Sequence, residues 1–120
     1  MESEEKIPYT SEDLKDHHGV SAIITNEQGN ILMQEHTKYG FWTIPVGKVD
    51  LDKNVEEGMK KEVYEETNLS VEACKEIGTK TFTYTRRGKN VKVDTHMYLI
   101  LRFSGELKNK EPHKHTQQKF

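Results

Sequence analysis

Three glutamates in one short segment have the residue type and spacing that metal-assisted phosphate chemistry requires. Glu62, Glu65 and Glu66 stand at positions i, i+3 and i+4, so a helix would place their carboxylates on one face. Like charges at this spacing oppose a helix by about 0.2–0.5 kcal/mol per pair, which a bound cation would offset. Mg²⁺ accepts carboxylate oxygens and bridges to substrate phosphates. The segment therefore predicts a divalent-cation site in which the ion orients phosphate oxygens and activates a water.

Glu66 has an unusual place on this predicted helix. At 100° per residue it projects between Val55 and Met59, within the apolar stripe that should face the core. The alternative interpretation is a solvated surface run in which Lys60 and Lys61 neutralise the glutamates. We favour the metal site, because a local conflict of this kind usually marks function.

The helix that carries these glutamates has clear local end signals. Asn54 is a suitable N-cap, and Asn68 can adopt the left-handed conformation that ends a helix. Acidic residues in the first turn suit the helix dipole. We predict a helix over residues 54–67.

The rest of the chain is typical of β-strands separated by turns, so the predicted fold class is mixed α+β. We expect a first hairpin, a second hairpin and, before the helix, a charged loop long enough to be functional. The predicted strands are 19–25, 31–35, 41–44, 80–85 and 91–103, the turns are 26–30 and 86–90, and the loop is 47–53.

The segment from Gly47 to Leu69 resembles the signature of the Nudix hydrolases, G-x5-E-x7-R-E-U-x-E-E-x-G-U with U aliphatic. Six residues occupy their signature positions: Gly47, Glu62, Val63, Glu65, Glu66 and Leu69. The preceding residues 42–45, Trp-Thr-Ile-Pro, also look like the family's flank, and the likeness extends over most of the chain. It implies an α/β/α sandwich with a mixed β-sheet and the glutamate helix on one face. Because the family's carboxy-terminal helix would only be beginning at Phe120, we expect that this helix could be lacking.

The resemblance also implies a function. It is the hydrolysis of a phosphoanhydride bond in a nucleoside diphosphate linked to another group, as in nucleoside triphosphates, ADP-ribose or dinucleotides. Mg²⁺ or Mn²⁺ would be held by Glu62, Glu65, Glu66 and a backbone carbonyl near Gly47. Glu62 or Glu65 in the helix, or Glu111 in a later loop, would act as general base. A solvated turn is the other interpretation of Glu111.

Four positions depart from the family pattern. Asn68 replaces a glycine, Lys61 replaces an arginine, Lys53 replaces a glutamate, and Val46 replaces the first glycine of the usual pair. Lys61 keeps the positive charge but lacks the bidentate fork of arginine. The alternative function is therefore a catalytically weakened Nudix fold that binds nucleotides or regulates. A plain interaction domain with an acidic helix ranks third.

Basic residues and histidines provide smaller signals. Arg86 and Arg87 lie in the predicted turn of the second hairpin and could contact substrate phosphates, although charged turns are usually just solvated. Lys48, next to Gly47, is a further predicted substrate-binding residue. His113 and His115 form no zinc-binding pattern with any cysteine, so we interpret them as surface residues.

Composition limits the remaining possibilities. The 120 residues include 18 Lys plus Arg and 20 Asp plus Glu, so there is no strong nucleic-acid signal. The apolar stretches are too short for a membrane span, and the single cysteine indicates a reducing, cytoplasmic setting. We expect a polar lead-in over 1–16 and one domain over 17–120. If the second helix is missing, exposed apolar sheet would favour a homodimer.

Overall fold

Two β-sheets and one helix make up the described part of the chain. The computed structural model describes residues 15–38 and 40–120. The elements are β1 (His17–Ile24), β2 (Met33–His36), β3 (Trp42–Thr43), β4 (Val46–Asp50), α1 (Val55–Thr67), β5 (Ser70–Arg86), β6 (Lys89–Ser104) and β7 (His115–Lys119).

The larger sheet is mixed. Its strand order is β4-β1-β6-β5, with β1 parallel to β6 and the other neighbours antiparallel. The smaller sheet has the order β3-β2-β7 and is antiparallel throughout. The mixed sheet and the helix on one face confirm the predicted fold class.

The hydrophobic core lies between α1 and one face of the larger sheet. Burying apolar side chains there is the main stabilising contribution of the fold. Alternate residues of β1 and β6 point into this core, as expected for strands. The buried cluster includes Val20, Ala22, Ile24, Leu32, Val49, Met59, Val63, Leu69, Tyr98 and Ile100.

Helix α1 confirms the predicted helix and both of its ends. The Asn54 side chain accepts a 2.9 Å hydrogen bond from the backbone N–H of Glu57, which is an N-cap. Asn68 has φ 68°, and its N–H donates to the carbonyl of Tyr64. The asparagine thus ends the helix in the left-handed conformation, as glycine would.

The predicted loop over 47–53 is wrong for most of its length. Residues 46–50 form β4, an edge strand that pairs with β1. Val49 is buried and packs on Gly58, where an added Cβ would lie 2.5 Å from Val49 Cγ2. The charged residues Lys48 and Asp50 make this segment look like a loop in the sequence. Both are exposed, because one side of an edge strand is open to water.

The prediction that residues 19–25 and 31–35 form a hairpin is also wrong, except next to the turn. Thr25 bridges to Ile31, and the N–H of Leu32 donates to the carbonyl of Ile24. Beyond this point β1 and β2 separate into different sheets. The second hairpin is confirmed and is longer than predicted, with Arg87 and Gly88 at φ 53° and 76° in its turn.

The end of the chain adds a strand. Residues 115–119 form β7, which pairs with β2, and α1 is the one helix among residues 15–38 and 40–120. That helix is not long and apolar enough to cross a membrane. The predicted lead-in over 1–16 lies, except for residues 15 and 16, outside the described residues.

Candidate functional site

Helix α1 presents its three glutamates at the junction between the two sheets. Glu66 is only 3% exposed, which confirms its predicted place in the apolar stripe, while Glu62 and Glu65 are half-buried. Gly47 in β4 lies directly against Glu62, since a Cβ at position 47 would be 2.7 Å from the Glu62 carboxylate. A glycine is therefore needed for the strand to approach the helix this closely.

A buried polar network surrounds Glu66. The side-chain N–H of Gln34 donates to Oε1 of Glu66 at 2.8 Å, and Gln34 is fully buried. Gln118 in β7 donates from its side-chain amide to Oε1 of Gln34 at 2.6 Å and to the backbone carbonyl of Glu66 at 2.7 Å. Two strands of the smaller sheet thus contact Glu66, β2 at its carboxylate and β7 at its backbone carbonyl.

His115 borders the same network. Its Nε2 lies 4.0 Å from Oε1 of Glu66 and 3.5 Å from Nε2 of Gln34. The interpretation of His115 as a surface residue is wrong, because the ring is 6% exposed, whereas His113 is exposed. Burial lowers the pKa of His115, which favours the neutral ring.

Glu111 faces the helix glutamates from the turn before β7. Its backbone carbonyl accepts from the N–H groups of Lys114 and His115, which fixes the turn. Its Oε2 lies 3.5 Å from Nζ of Lys114. Its Oε1 is buried and has no hydrogen-bond partner among residues 15–38 and 40–120.

The carboxylates of this site repel each other in a partly dry environment. Burial is the largest cause that raises the pKa of Glu66 to about 7, and the hydrogen bond from Gln34 opposes the rise. Burial and the charge of Glu65 also raise the pKa of Glu62. Glu111 raises both pKa values, while Lys114 lowers them. The cluster therefore has more negative charge than its neighbours compensate.

These groups suit a hard divalent cation. Carboxylate and carbonyl oxygens are the ligands that Mg²⁺ and Mn²⁺ prefer. Oε1 of Glu111, which has no hydrogen-bond partner in the described part of the chain, is a further oxygen that suits such an ion. Within the described part of the chain, no three His, Cys, Asp or Glu side chains are already arranged to hold an ion. Glu62, Glu65 and Glu66, with the backbone near Gly47, are the residues that would hold it.

A cleft of about 330 Å³ opens beside Glu62, between β4 and the first turns of α1. Three lysines on its walls could meet a polyphosphate. The lining residues are Lys48, Val49, Asp50, Lys53, Asn54, Glu57, Gly58, Lys61 and Glu62. The cleft thus joins the predicted substrate residue Lys48 to the signature residue Glu62.

Arg86 and Arg87 do not line this cleft. Gly47 pairs with Val20, which pairs with His96, whereas Arg86 pairs with Lys89. The seven residue steps from Lys89 to His96 correspond to about 23 Å along β6. A substrate contact by this turn stays a prediction.

Sequence reasoning missed Gln34 and Gln118 as parts of the site. Gln34 in β2 stands two residues after the buried Leu32, which precedes the strand, and this spacing is a weak signal that both face inward. No local sequence pattern marks Gln118 as a site residue, because its contact is with Glu66, which lies 52 residues earlier in the chain.

Known structures share this fold. The crystal structure of a MutT NUDIX hydrolase from Burkholderia pseudomallei matches with a TM-score of 0.72 and 27% identity, over 88% of this chain and 81% of that one. A MutT protein from Methanosarcina mazei matches with a TM-score of 0.64 and 23% identity, over 88% and 75%. The second likeness shows the fold alone.

Sequence comparison gives the family. The chain is 33% identical over 69 residues to a MutT-like protein from Streptomyces ambofaciens. The match covers 58% of this chain and 44% of that relative, so the chain spans less than half of its length. The NUDIX domain profile matches residues 15–119. The chain belongs to the NUDIX family.

Proposed function

We propose that this protein is a Mg²⁺- or Mn²⁺-dependent hydrolase of a phosphoanhydride bond in a nucleoside diphosphate linked to another group. The observation that carries the proposal is the convergence of Glu62, Glu66 and Glu111 in a partly buried site, where burial and the charge of Glu111 raise the pKa values of both helix glutamates. Membership of the NUDIX family and the lysine-lined cleft beside Glu62 support it.

Each residue of the site has a proposed task. Glu62, Glu65, Glu66 and the backbone near Gly47 hold the cation, which neutralises phosphate oxygens and lowers the pKa of a water when bound. Glu111 is the proposed general base, since its buried Oε1 has no partner in the described part of the chain. Glu62 and Glu65 are the alternative bases.

The cleft lysines have the proposed task of binding substrate. Lys48, Lys53 and Lys61 place positive charge along the wall that leads to Glu62. Lys53 is a charge reversal relative to the family pattern, and at this wall it would attract phosphate instead of contributing a carboxylate. Nucleoside triphosphates, ADP-ribose and dinucleoside polyphosphates all carry the linkage that such a cleft could hold.

A hydrolysis screen with Mg²⁺ and Mn²⁺ tests this function. The panel contains nucleoside triphosphates, ADP-ribose, dinucleoside polyphosphates and nucleotide sugars. Glu65→Gln and Glu66→Gln should abolish turnover. Glu56→Gln is the matched control, because Glu56 lies on the same helix and pairs with Lys60. Turnover that survives both site variants would contradict the proposal.

A nucleotide-binding role without turnover is the second candidate. It is favoured by Lys53 and Lys61, which replace two signature residues and line the cleft. Titration calorimetry with Mg²⁺ and a non-hydrolysable nucleotide would then show binding, while the hydrolysis screen would detect no turnover. Lys61→Arg should restore measurable turnover if the lost guanidinium is the cause.

Two further proposals concern the setting of the protein. Met97 and Leu101 are 39% and 59% exposed on the sheet face opposite the core residues Tyr98 and Ile100. We propose that this face pairs in a homodimer, and a monomeric mass in light scattering would contradict it. A cytoplasmic location is proposed from the single half-buried cysteine and is tested by fractionation.

A further inference from the structure

A second group of metal-ligating side chains lies on strands of the larger sheet and includes none of the glutamates of the proposed cation site. His18 in β1 and His96 in β6 come from neighbouring parallel strands. Nε2 of His96 lies 3.2 Å from Nδ1 of His18, and the ring centroids are 5.0 Å apart at an interplanar angle of 68°. Two ring nitrogens therefore point at each other across the strands.

The distance between these nitrogens suits a shared metal ion. Zinc binds imidazole nitrogen at about 2.0–2.1 Å. Two such bonds at angles between 90° and 109° place the nitrogens about 2.9–3.4 Å apart. The observed 3.2 Å lies within this interval. In the metal-free pair one nitrogen carries a proton, and a metal ion would take the place of that proton.

Glu76 fixes the orientation of His96. Nδ1 of His96 donates to Oε2 of Glu76 at 2.6 Å, which leaves Nε2 directed at His18. The register of β5 shifts between Glu76 and Gly78, and this irregularity places the glutamate beside the ring. A carboxylate that accepts from the far nitrogen of a histidine is the usual outer partner of a metal-bound imidazole.

The surroundings also favour a cation. Asp94 pairs with His18 in the sheet register, and the Thr81 hydroxyl donates to its Oδ1 at 2.7 Å. This hydrogen bond is the largest cause of the lowered pKa of Asp94, to which the two histidine rings add. The carboxylates of Asp94 and Glu76 therefore place negative charge near the imidazole pair.

We propose that His18 and His96 form a binding site for a divalent transition-metal ion of the Zn²⁺ or Cu²⁺ class, with Glu76 as a positioning residue. The two imidazoles supply two ligands, and water completes the coordination. Imidazole nitrogen favours zinc and copper, whereas the carboxylates of the other site favour magnesium and manganese. The two sites thus differ in the ions they select, and this proposal does not rest on the proposed hydrolase activity.

Metal binding without substrate tests the proposal. The background is the full chain with Glu65→Gln and Glu66→Gln, which removes two of the carboxylates of the acidic site. Zn²⁺ is titrated by calorimetry, and Cu²⁺ is followed by electron paramagnetic resonance. We expect one equivalent to bind, with Cu²⁺ hyperfine splitting from two nitrogens. His18→Asn or His96→Asn should remove this binding, and His113→Asn, at an exposed histidine, should leave it unchanged.

Glu76→Gln separates positioning from ligation. It should weaken Zn²⁺ binding about 10- to 100-fold while the two-nitrogen Cu²⁺ signal remains. Unfolding in EDTA shows whether the variants still fold. If they do not, selective broadening of the His18 and His96 ring resonances by Cu²⁺ in the unsubstituted protein provides the test. Zn²⁺ binding by the His18→Asn and His96→Asn variants that equals the binding by the background protein would overturn the proposal. Broadening by Cu²⁺ that is confined to other histidines would also overturn it.

Discussion

Gln34 donates a 2.8 Å hydrogen bond to Glu66, and both side chains are almost completely buried. This contact joins β2 of the smaller sheet to α1, across 32 residues of chain. A buried carboxylate needs such a donor, because burial without one costs several kcal/mol. The hydrogen bond also fixes which way the carboxylate points. The site therefore depends on a residue outside the signature.

Gln34→Leu should weaken Mg²⁺ binding. The change removes the donor that favours ionised Glu66, so the pKa of Glu66 should rise further. A hydrogen bond to a charged group contributes about 1.5–3 kcal/mol, which corresponds to about 10- to 100-fold in affinity. Calorimetry with Mg²⁺ measures the effect. Gln117→Leu is the control, because Gln117 contacts Glu35 at an exposed site. Equal Mg²⁺ affinity of Gln34→Leu and the unsubstituted protein would contradict this role.

The metal-free protein should lose stability as pH rises from 4.5 to about 7. The pKa of Glu66 is raised from its usual 4.5 to about 7 on folding. The folded state therefore holds the proton more tightly, so the stabilising contribution is full below pH 4.5 and is lost as pH approaches 7. At 1.36 kcal/mol per pKa unit the change is on the order of 3 kcal/mol at most.

Glu66→Gln isolates that effect. Urea unfolding in EDTA at pH 5 and pH 7.5 gives the free energy of unfolding of both proteins. The variant should lack this part of the pH dependence and be the more stable one at pH 7.5. An identical pH dependence in the two proteins would refute the assignment to Glu66.

Gly47→Ala should disrupt the site with little effect elsewhere. Its Cβ would lie 2.7 Å from the Glu62 carboxylate, so the side chain or the strand must move. We expect a large loss of Mg²⁺-dependent turnover, since displacement by about 1 Å can reduce a rate by about 100-fold. Gly78→Ala is the matched control in another strand, because its Cβ would have nothing within 4 Å. Equal loss in both variants would point to a general glycine effect.

Gly58→Ala should destabilise the fold although alanine is the better helix former. The new methyl group would lie 2.5 Å from Val49 Cγ2, and such overpacking costs about 1–3 kcal/mol. This exceeds the gain of about 1 kcal/mol in helix propensity. Thermal and urea unfolding measure the balance. Adding Val49→Ala should recover part of the lost free energy of unfolding. The packing explanation would be contradicted if the double variant lost more free energy of unfolding than the two single variants lose together.

Much of α1 could be predicted because its signals are local. Asn54, the acidic first turn and Asn68 act within four residues of the helix ends that they define. The burial of Glu66 also followed from the angle between Val55, Met59 and Glu66, which is a property of the helix alone. The fold class followed from the order of strands and helix together with the signature.

The errors concern contacts between distant segments. Strand β4 has exposed charges at Lys48 and Asp50, and its pairing with β1 is not visible from its own residues. Strand β2 contains one apolar residue, Met33, so its own four residues do not show that Gln34 points inward. The interpretation of His115 as a surface residue depends on the lack of a zinc-binding pattern, which carries no information about burial. The burial of His115 follows from the pairing of β7 with β2, across about 80 residues of chain.

The parallel pairing of β1 with β6 has a kinetic consequence. His17 pairs with Val93, and β4 and α1 lie within the chain that this pairing closes. The backbone must therefore close a loop of 76 residues before the sheet beneath the glutamates is complete. Non-local pairing of this kind slows folding, because the entropy of loop closure is lost before the contacts form. We expect refolding in milliseconds to seconds, with Mg²⁺ affinity recovering only in the last phase.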